Sequence, residues 1–359
     1  MTRLLITGGA GFIGTNFVRH WTAQYPRDRV VVLDSLTYAG NPANLDALAS
    51  TGFRFERGDI RDEDRVAELL RSERIDTVVH FAAESHVDTS IAQPDAFIET
   101  NVVGTHALLK AARRVWLDEQ KLADHRFHHV STDEVYGSLG PEDAAFTEGA
   151  RYAPNSPYSA SKAASDHLVR AYHRTYGLRT TTSHCSNNYG PYQFPEKLIP
   201  RMIVNMLDGR PLPVYGDGRN VRDWLHVADH CRGIDHILRR ARPGEVYNIG
   251  GGTEVENLTL VRALCAIADR WFARDETLKD RFPRSPCICG QPSEALIQFV
   301  EDRPGHDRRY AVDSTKLDRE LEFGDRLELY QGLERTFGWY VENEPWWREI
   351  LARRATVSR

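Results

Sequence analysis

A short apolar run, Arg3-Leu4-Leu5-Ile6-Thr7, passes directly into Gly8-Gly9-Ala10-Gly11-Phe12-Ile13-Gly14 and then into an amphipathic segment that reaches about Gln24. That order predicts a strand, a glycine turn and a helix. Gly8, Gly11 and Gly14 let the backbone approach a pyrophosphate closely, while the start of the helix that follows offers unpaired N–H groups and a positive dipole end; Phe12 and Ile13 of the turn are expected in the same cofactor site. A lone glycine motif says little, but this one has the flanking strand and helix that its use requires. Val30 to Leu33 reads as a second strand and ends at Asp34, 20 residues after Gly14. A carboxylate there can accept from both ribose hydroxyls and repels a 2′-phosphate, which favours NAD over NADP; the competing role is a helix or turn cap.

The alternation continues. Phe53 to Phe55 reads as a third strand, Arg65 to Arg71 as a helix, and Thr77 to His80 as a fourth strand that runs into Phe81-Ala82-Ala83-Glu84-Ser85. Asp59, just after the third strand, is placed either to reach an adenine amino group or to cap the next helix. Ala82 and Ala83 leave room for a flat ring. Asp95 to Trp116 is a long helical stretch, and Phe127 to Ser131 is the next strand. This rhythm predicts an α/β fold, a Rossmann-type doubly wound parallel sheet with ligands at the C-terminal ends of its strands. His125, His128 and His129 are expected to be strand histidines of mixed exposure, and no metal site is expected.

The chemistry is expected between Ser131-Thr132-Asp133-Glu134 and Tyr158-Ser159-Ala160-Ser161-Lys162. Tyr158 and Lys162 stand four residues apart, which on a helix puts phenol and ammonium on one face. A nearby ammonium favours phenolate and should lower the phenol's pKa from about 10. Tyr158 can then take a proton from an alcohol while a dinucleotide takes the hydride. The pair alone is weak, since many solvated helix faces carry one; the dinucleotide site gives it weight.

After Thr180 loops become dense. We expect residues 1–180 to form the dinucleotide-binding domain, with later segments returning to it, and 181–359 to form mainly a substrate domain. Arg222 and Arg308-Arg309 are cations suited to a diphosphate. Residues 272–294 lack periodicity and read as a surface insertion. The 359 residues carry a net charge of −5, which offers no basic field for nucleic acid or an anionic membrane. No apolar run approaches the roughly 18 residues of a membrane span, and the N-terminus has no signal-peptide layout. A cytoplasmic location is expected, in keeping with five cysteines that cannot all pair. Cys287-Ile288-Cys289 has no second cysteine pair to complete a zinc site. The stretches Asp95–Trp116 and Tyr158–Tyr176 are apolar on more faces than one sheet covers, which points to a homodimer or to a partner within the chain.

On these residues the chain resembles the extended short-chain dehydrogenase/reductase family and, within it, the dTDP-glucose 4,6-dehydratases. The resemblance runs from the glycine turn to Asp302-Arg303-Pro304-Gly305-His306-Asp307, and Thr132-Asp133-Glu134 is its most specific element. It implies tightly held NAD, a nucleotide-sugar substrate and a smaller α/β domain at the C-terminal side. Thr132, Asp133, Glu134, Tyr158 and Lys162 are the implied catalytic residues. Ser35, Leu36, Thr37, Ile60, Phe81, Ser85, Thr100 and Asn188 are implied beside the residues above in the cofactor site. Ser85, Thr132, Asn187, Glu196, Lys197, Leu198, Pro213, Tyr215, Arg222, Asn257, Arg303 and His306 fall on its substrate segments. The chain departs from the family at Thr89, where Arg is usual, and around Cys287-Ile288-Cys289, which looks long. Competing readings are a dehydratase of CDP-glucose or GDP-mannose, an NAD-dependent 4-epimerase with no use for two carboxylates, and a non-catalytic dinucleotide sensor.

Overall fold

β-branched runs such as Val30-Val31-Val32 become strands buried on both faces of one parallel sheet. The computed structural model describes residues 1–302 and 304–357. Its strands are β1 (Arg3–Thr7), β2 (Arg29–Asp34), β3 (Arg54–Arg57), β4 (Thr77–His80), β5 (Arg126–Thr132), β6 (Thr180–Cys185), β7 (Asn187–Tyr189), β8 (Leu212–Tyr215), β9 (Val221–His226), β10 (Val246–Ile249), β11 (Glu254–Glu256), β12 (Ile297–Val300) and β13 (Arg309–Tyr310). Seven form the central sheet in the order β10-β6-β5-β4-β1-β2-β3. The chain runs outward from β1 in both directions, so a crevice opens at the C-terminal ends where β1 and β4 lie side by side.

Helices cover both faces. Phe12–Gln24 and Val227–Arg240 pack Phe17, Trp21, Ile234 and Ile237 on one side. On the other, Glu63–Ser72, the helical run Asp95–Glu119 and Pro157–Tyr176 bury Leu69, Leu108, Trp116 and Val169. A third core joins the helices Leu198–Asp208, Asn257–Arg274 and Leu329–Glu342. Beside it lie a sheet of β11, β9, β13 and β7 and the pair β12-β8. Among the described residues no helix is long and apolar enough to cross a membrane.

Four expectations are corrected. The third strand runs from Arg54 to Arg57, starting one residue and ending two residues later than read, with its helix already begun at Glu63. The long helix extends to Glu119 and widens into π turns at Ile98–Gly104 and Arg113–Glu119, which blur a simple 3.6-residue period. Residues 272–294 are not a surface insertion: Phe272, at the end of the Asn257–Arg274 helix, and Leu278 and Phe282, in and just after the short helix Thr277–Arg281, are buried in the third core, and the segments after Arg274 are too short to show periodicity. His125, His128 and His129 are all buried, the last two because β5 is a central strand covered on both faces and His125, just before it, because it packs against Trp116. His128 bridges Thr181 Oγ1 at 2.9 Å and Ser183 Oγ at 3.1 Å, and burial pushes its imidazolium down to about 3.

Candidate active site

At Gly8 the backbone takes φ +71°, and a Cβ there would lie 2.6 Å from the Ala82 nitrogen, so the turn runs against the chain leaving β4. A Cβ on Gly14 would meet the Gly8 oxygen at 2.2 Å. Only glycine keeps this cradle open, and it leads into the Phe12–Gln24 helix, whose start carries no side-chain cap. Asp34 closes β2. Its Oδ2 accepts from the Ala10 amide at 2.9 Å and its Oδ1 from the Leu36 amide at 2.8 Å, which ties the glycine turn to Ser35-Leu36-Thr37. Burial pushes this carboxyl up while the two amides oppose the shift. The turn-cap role and a ribose role are therefore compatible, since each oxygen keeps a second lone pair.

Asp59 does not cap the following helix. Asp62 does, accepting from the Arg65 amide at 3.0 Å, while Asp59 pairs with Arg61 at 2.7 Å and is held below the usual carboxylate range by it. Ile60 is buried beneath Gly104, and Phe81, Ala82, Ala83 and Thr100 are half-buried. The open glycine cradle with a carboxylate at the end of β2 fits a dinucleotide with free ribose hydroxyls.

Thr132 ends β5 and caps a tight 3₁₀ turn, Asp133–Tyr136, its Oγ1 accepting from the Glu134 amide at 3.3 Å. The turn breaks strand alternation at the point where two adjacent carboxylates would otherwise face opposite ways. Tyr158 stands in the first turn of the Pro157–Tyr176 helix, which opens with a Ser156/Ser159 capping box and Pro157. Its phenol bonds to Thr132, yet its pKa is pushed up, first by burial and then by Glu134 and Cys185. This corrects the expected lowering by Lys162. Lys162 Nζ instead donates to the Val130 carbonyl at 2.8 Å, and burial pushes the ammonium down to about 8 against the pull of Asp166. Asp133 is buried; burial, then Glu134 and Asp223, push its carboxyl well up, and its Oδ2 has no hydrogen-bond partner among the described residues. Asp223 on β9 accepts from the Gly251 and Thr253 amides and is pushed up to about 6 by burial.

From the smaller core, Arg222 reaches the same place. Its guanidinium lies 4.4 Å over the Tyr310 ring, donates to the Asp307 carbonyl at 2.9 Å, and acts electrostatically on Asp133. Arg308 and Arg309 are not the free diphosphate cations expected: Arg308 pairs with Asp217 at 2.9 Å, and Arg309 with Glu254 at 2.6 Å and the carbonyls of Gly140 and Asp143. Asn187 and Asn257 each carry a buried Oδ1 without a partner among the described residues. Glu196 lies 3.7 Å from His86 Nε2, Lys197 Nζ donates to the Ser85 carbonyl at 2.9 Å, and Leu198 opens the Leu198–Asp208 helix. Thr89, the departure from the family pattern, donates its amide to His86 Nδ1 at 3.2 Å. Asn188 Oδ1 meets His230 Nδ1 at 2.9 Å. Pro213 and Tyr215 lie on β8, with Tyr215 facing the His306 ring at 6.3 Å; Arg303 lies outside the described residues.

Asp223, Cys185 and Tyr310 join this site without having been read from the sequence. Cys185 is there because it pairs with Thr132 across the β5–β6 register. No local pattern marks any of the three.

A family model described as GDP-mannose 4,6 dehydratase matches residues 5–336. A dTDP-glucose 4,6-dehydratase of Xanthomonas campestris pv. campestris (strain B100) is 52% identical over 354 residues, covering 98% of this chain and 96% of that one. One from Neisseria meningitidis serogroup B is 51% identical with the same coverage. Among solved structures, DesIV, the dTDP-glucose 4,6-dehydratase of Streptomyces venezuelae solved with NAD bound, superimposes with a TM-score of 0.84 at 48% identity over 97% of this chain and 100% of its own. With a glycine cradle, two carboxylates at the end of β5 and the Tyr158–Lys162 pair all present, this chain belongs to the dTDP-glucose 4,6-dehydratase family.

Proposed function

We propose that the chain converts dTDP-glucose to dTDP-4-keto-6-deoxyglucose with NAD as resident cofactor. The observation that carries the reading is Thr132-Asp133-Glu134 turning at the end of β5 toward Tyr158, with Asp133 kept in its neutral range. NAD, when bound, supplies the hydride acceptor for sugar C4 and the hydride later returned to C6. The glycine turn would hold its pyrophosphate and Asp34 its adenosine ribose. Tyr158, oriented by Thr132 and with Lys162 as the nearby cation, takes the C4 hydroxyl proton. The resulting ketone acidifies C5–H, so Glu134 can remove that proton and supply one back to C5 when C6 receives its hydride. Asp133, buried and protonated, donates to the departing C6 hydroxyl. An epimerase would need the first step and return of the hydride to C4, with no work for either carboxylate. Arg222, Asn187, Asn257, Glu196, Lys197 and the β8 pair Pro213 and Tyr215 would hold the nucleotide sugar. In a panel of dTDP-glucose, CDP-glucose and GDP-mannose, we expect dTDP-glucose to turn over fastest, to a product lighter by one water. A product of unchanged mass overturns the reading.

The protein is further proposed to act as a homodimer in the cytoplasm. Ile98, Val103 and Tyr176 are 47%, 43% and 43% exposed on the face shared by the Asp95–Glu119 run and the Pro157–Tyr176 helix. Arg113 lies over the Tyr176 ring at 4.2 Å, so the two helices present one continuous surface. Leu108, at 1% exposure, faces inward instead. Light scattering at micromolar concentration should give twice the chain mass, and Ile98→Glu with Val103→Glu should give a monomer. A wild-type monomer contradicts the proposal. All five cysteines are free thiols, which supports a reducing compartment.

A further inference from the structure

Behind the Tyr158–Lys162 pair lies a buried carboxylate that the mechanism above leaves unused. Asp166, 5% exposed, follows Lys162 by one helical turn on the Pro157–Tyr176 helix. Its Oδ2 accepts from Ser131 Oγ at 3.0 Å, Tyr152 OH at 3.1 Å and His184 Nε2 at 2.9 Å. His129 Nε2 lies 3.1 Å from Oδ1, outside hydrogen-bond geometry. His184 continues the chain of contacts: its Nδ1 meets Tyr136 OH at 2.8 Å, and Tyr136 donates to Asn248 Oδ1 at 3.0 Å.

Each contact lands beside a catalytic group. Ser131 precedes Thr132, Tyr136 ends the turn that carries Asp133 and Glu134, and Tyr152 belongs to the loop between that turn and the Tyr158 helix. One turn earlier on the helix, Lys162 Nζ holds the Val130 carbonyl. Lys162 and Asp166 thus fasten the helix to consecutive residues of β5, Val130 and Ser131. We propose that Asp166 is a positioning residue that fixes the Tyr158–Lys162 helix against the Thr132-Asp133-Glu134 turn and keeps a negative charge beside Lys162.

The groups around the pair leave that second task to Asp166. Lys162 also faces His129 on β5, His80 on β4 and Cys185 on β6. Burial pushes both histidines toward neutrality and the thiol up, so none carries a lasting negative charge near the ammonium. Around Asp166, the phenols of Tyr136 and Tyr152 are pushed up and stay neutral, whereas the carboxyl, which burial alone would raise, is held down with His184 hydrogen-bonded to it. Asp166 is the largest influence opposing the desolvation of Lys162.

The proposal rests on the dehydratase reading, and Asp166→Asn tests it apart from that reading. Stopped-flow NADH formation from dTDP-glucose should fall about tenfold or more, and the basic limb of its pH profile, where Lys162 loses its proton, should move down by about one pH unit. Tyr152→Phe removes one donor but keeps the charge, so it should slow the step several-fold with the limb in place. Wild-type activity with an unmoved Asp166→Asn limb overturns the positioning role alone. Should Asp166→Asn fail to fold, a Tyr152→Phe enzyme with the wild-type rate overturns it. Wild-type protein that releases no product lighter by one water from dTDP-glucose overturns the dehydratase reading and this proposal with it.

Discussion

Tyr158→Phe is expected to slow NADH formation from dTDP-glucose by about 10²–10⁴, the usual contribution of a positioned general base. The substitution keeps the ring and removes only the oxygen that bonds Thr132, so folding and cofactor binding should survive. Thr132→Val, which leaves the phenol but removes its partner, should have a smaller effect in the same direction. The pH dependence follows from the site. Burial and Glu134 push the Tyr158 phenol up, so phenolate is scarce near neutrality and oxidation should accelerate as pH rises. Lys162, pushed down to about 8 by burial, then loses its charge and the rate should fall. The profile of the oxidation step should therefore be a bell with its basic limb near that value. A flat profile, or a Tyr158→Phe enzyme that forms NADH at the wild-type rate, would remove Tyr158 from the role of base.

The parts of this site that the sequence makes legible are those written in short spacing. The glycine turn, Asp34 at the end of a β-branched run, and Tyr158 four residues before Lys162 all lie within one or two elements. The helix end at Gln24 and the strand Thr77–His80 fall where the pattern puts them, while the helix begins at Phe12, inside the glycine motif. Residues delivered by tertiary register are not legible in that way. Cys185 reaches Thr132 only through parallel pairing of β5 with β6, and Asp223 arrives from β9 in a different sheet. Asp166 looks like one more charge on an amphipathic helix until Ser131, Tyr152 and His184 are seen to converge on it.

Electrostatics misled the sequence reading for a related reason. A Lys one turn from a Tyr predicts a lowered phenol if the two meet in water-like surroundings. Here Lys162 is tied to the Val130 carbonyl, and desolvation raises Tyr158 and lowers Lys162 together. The same burial that spoils that expectation produces a protonated Asp133. Arg309 illustrates the complementary error, because a cation in a loop-rich region is as readily a strut as a ligand, and only its contacts with Glu254, Gly140 and Asp143 decide.

Glu134→Gln and Asp133→Asn are expected to slow loss of water by about 10²–10⁴ while leaving oxidation at C4 much less affected. The asymmetry follows from timing, since neither carboxylate has a proton to move until the C4 ketone has acidified C5. NADH absorbance should appear on mixing with dTDP-glucose and then persist. Asparagine at 133 keeps the volume of the buried side chain but has no acidic proton to give the C6 hydroxyl. In the wild type Asp133 must be protonated to act, so elimination should be lost as pH rises through its raised value rather than through the ordinary carboxylate range. Turnover in deuterated water should place deuterium at C5, and a deuteride starting at C4 should reappear at C6. A 4-epimerase gives neither pattern and keeps its C6 oxygen. If both carboxylate variants release the 6-deoxy product at the wild-type rate, the two adjacent acids in the turn after β5 have no part in elimination, and the chemistry would have to be sought from Asp223 or Cys185 instead.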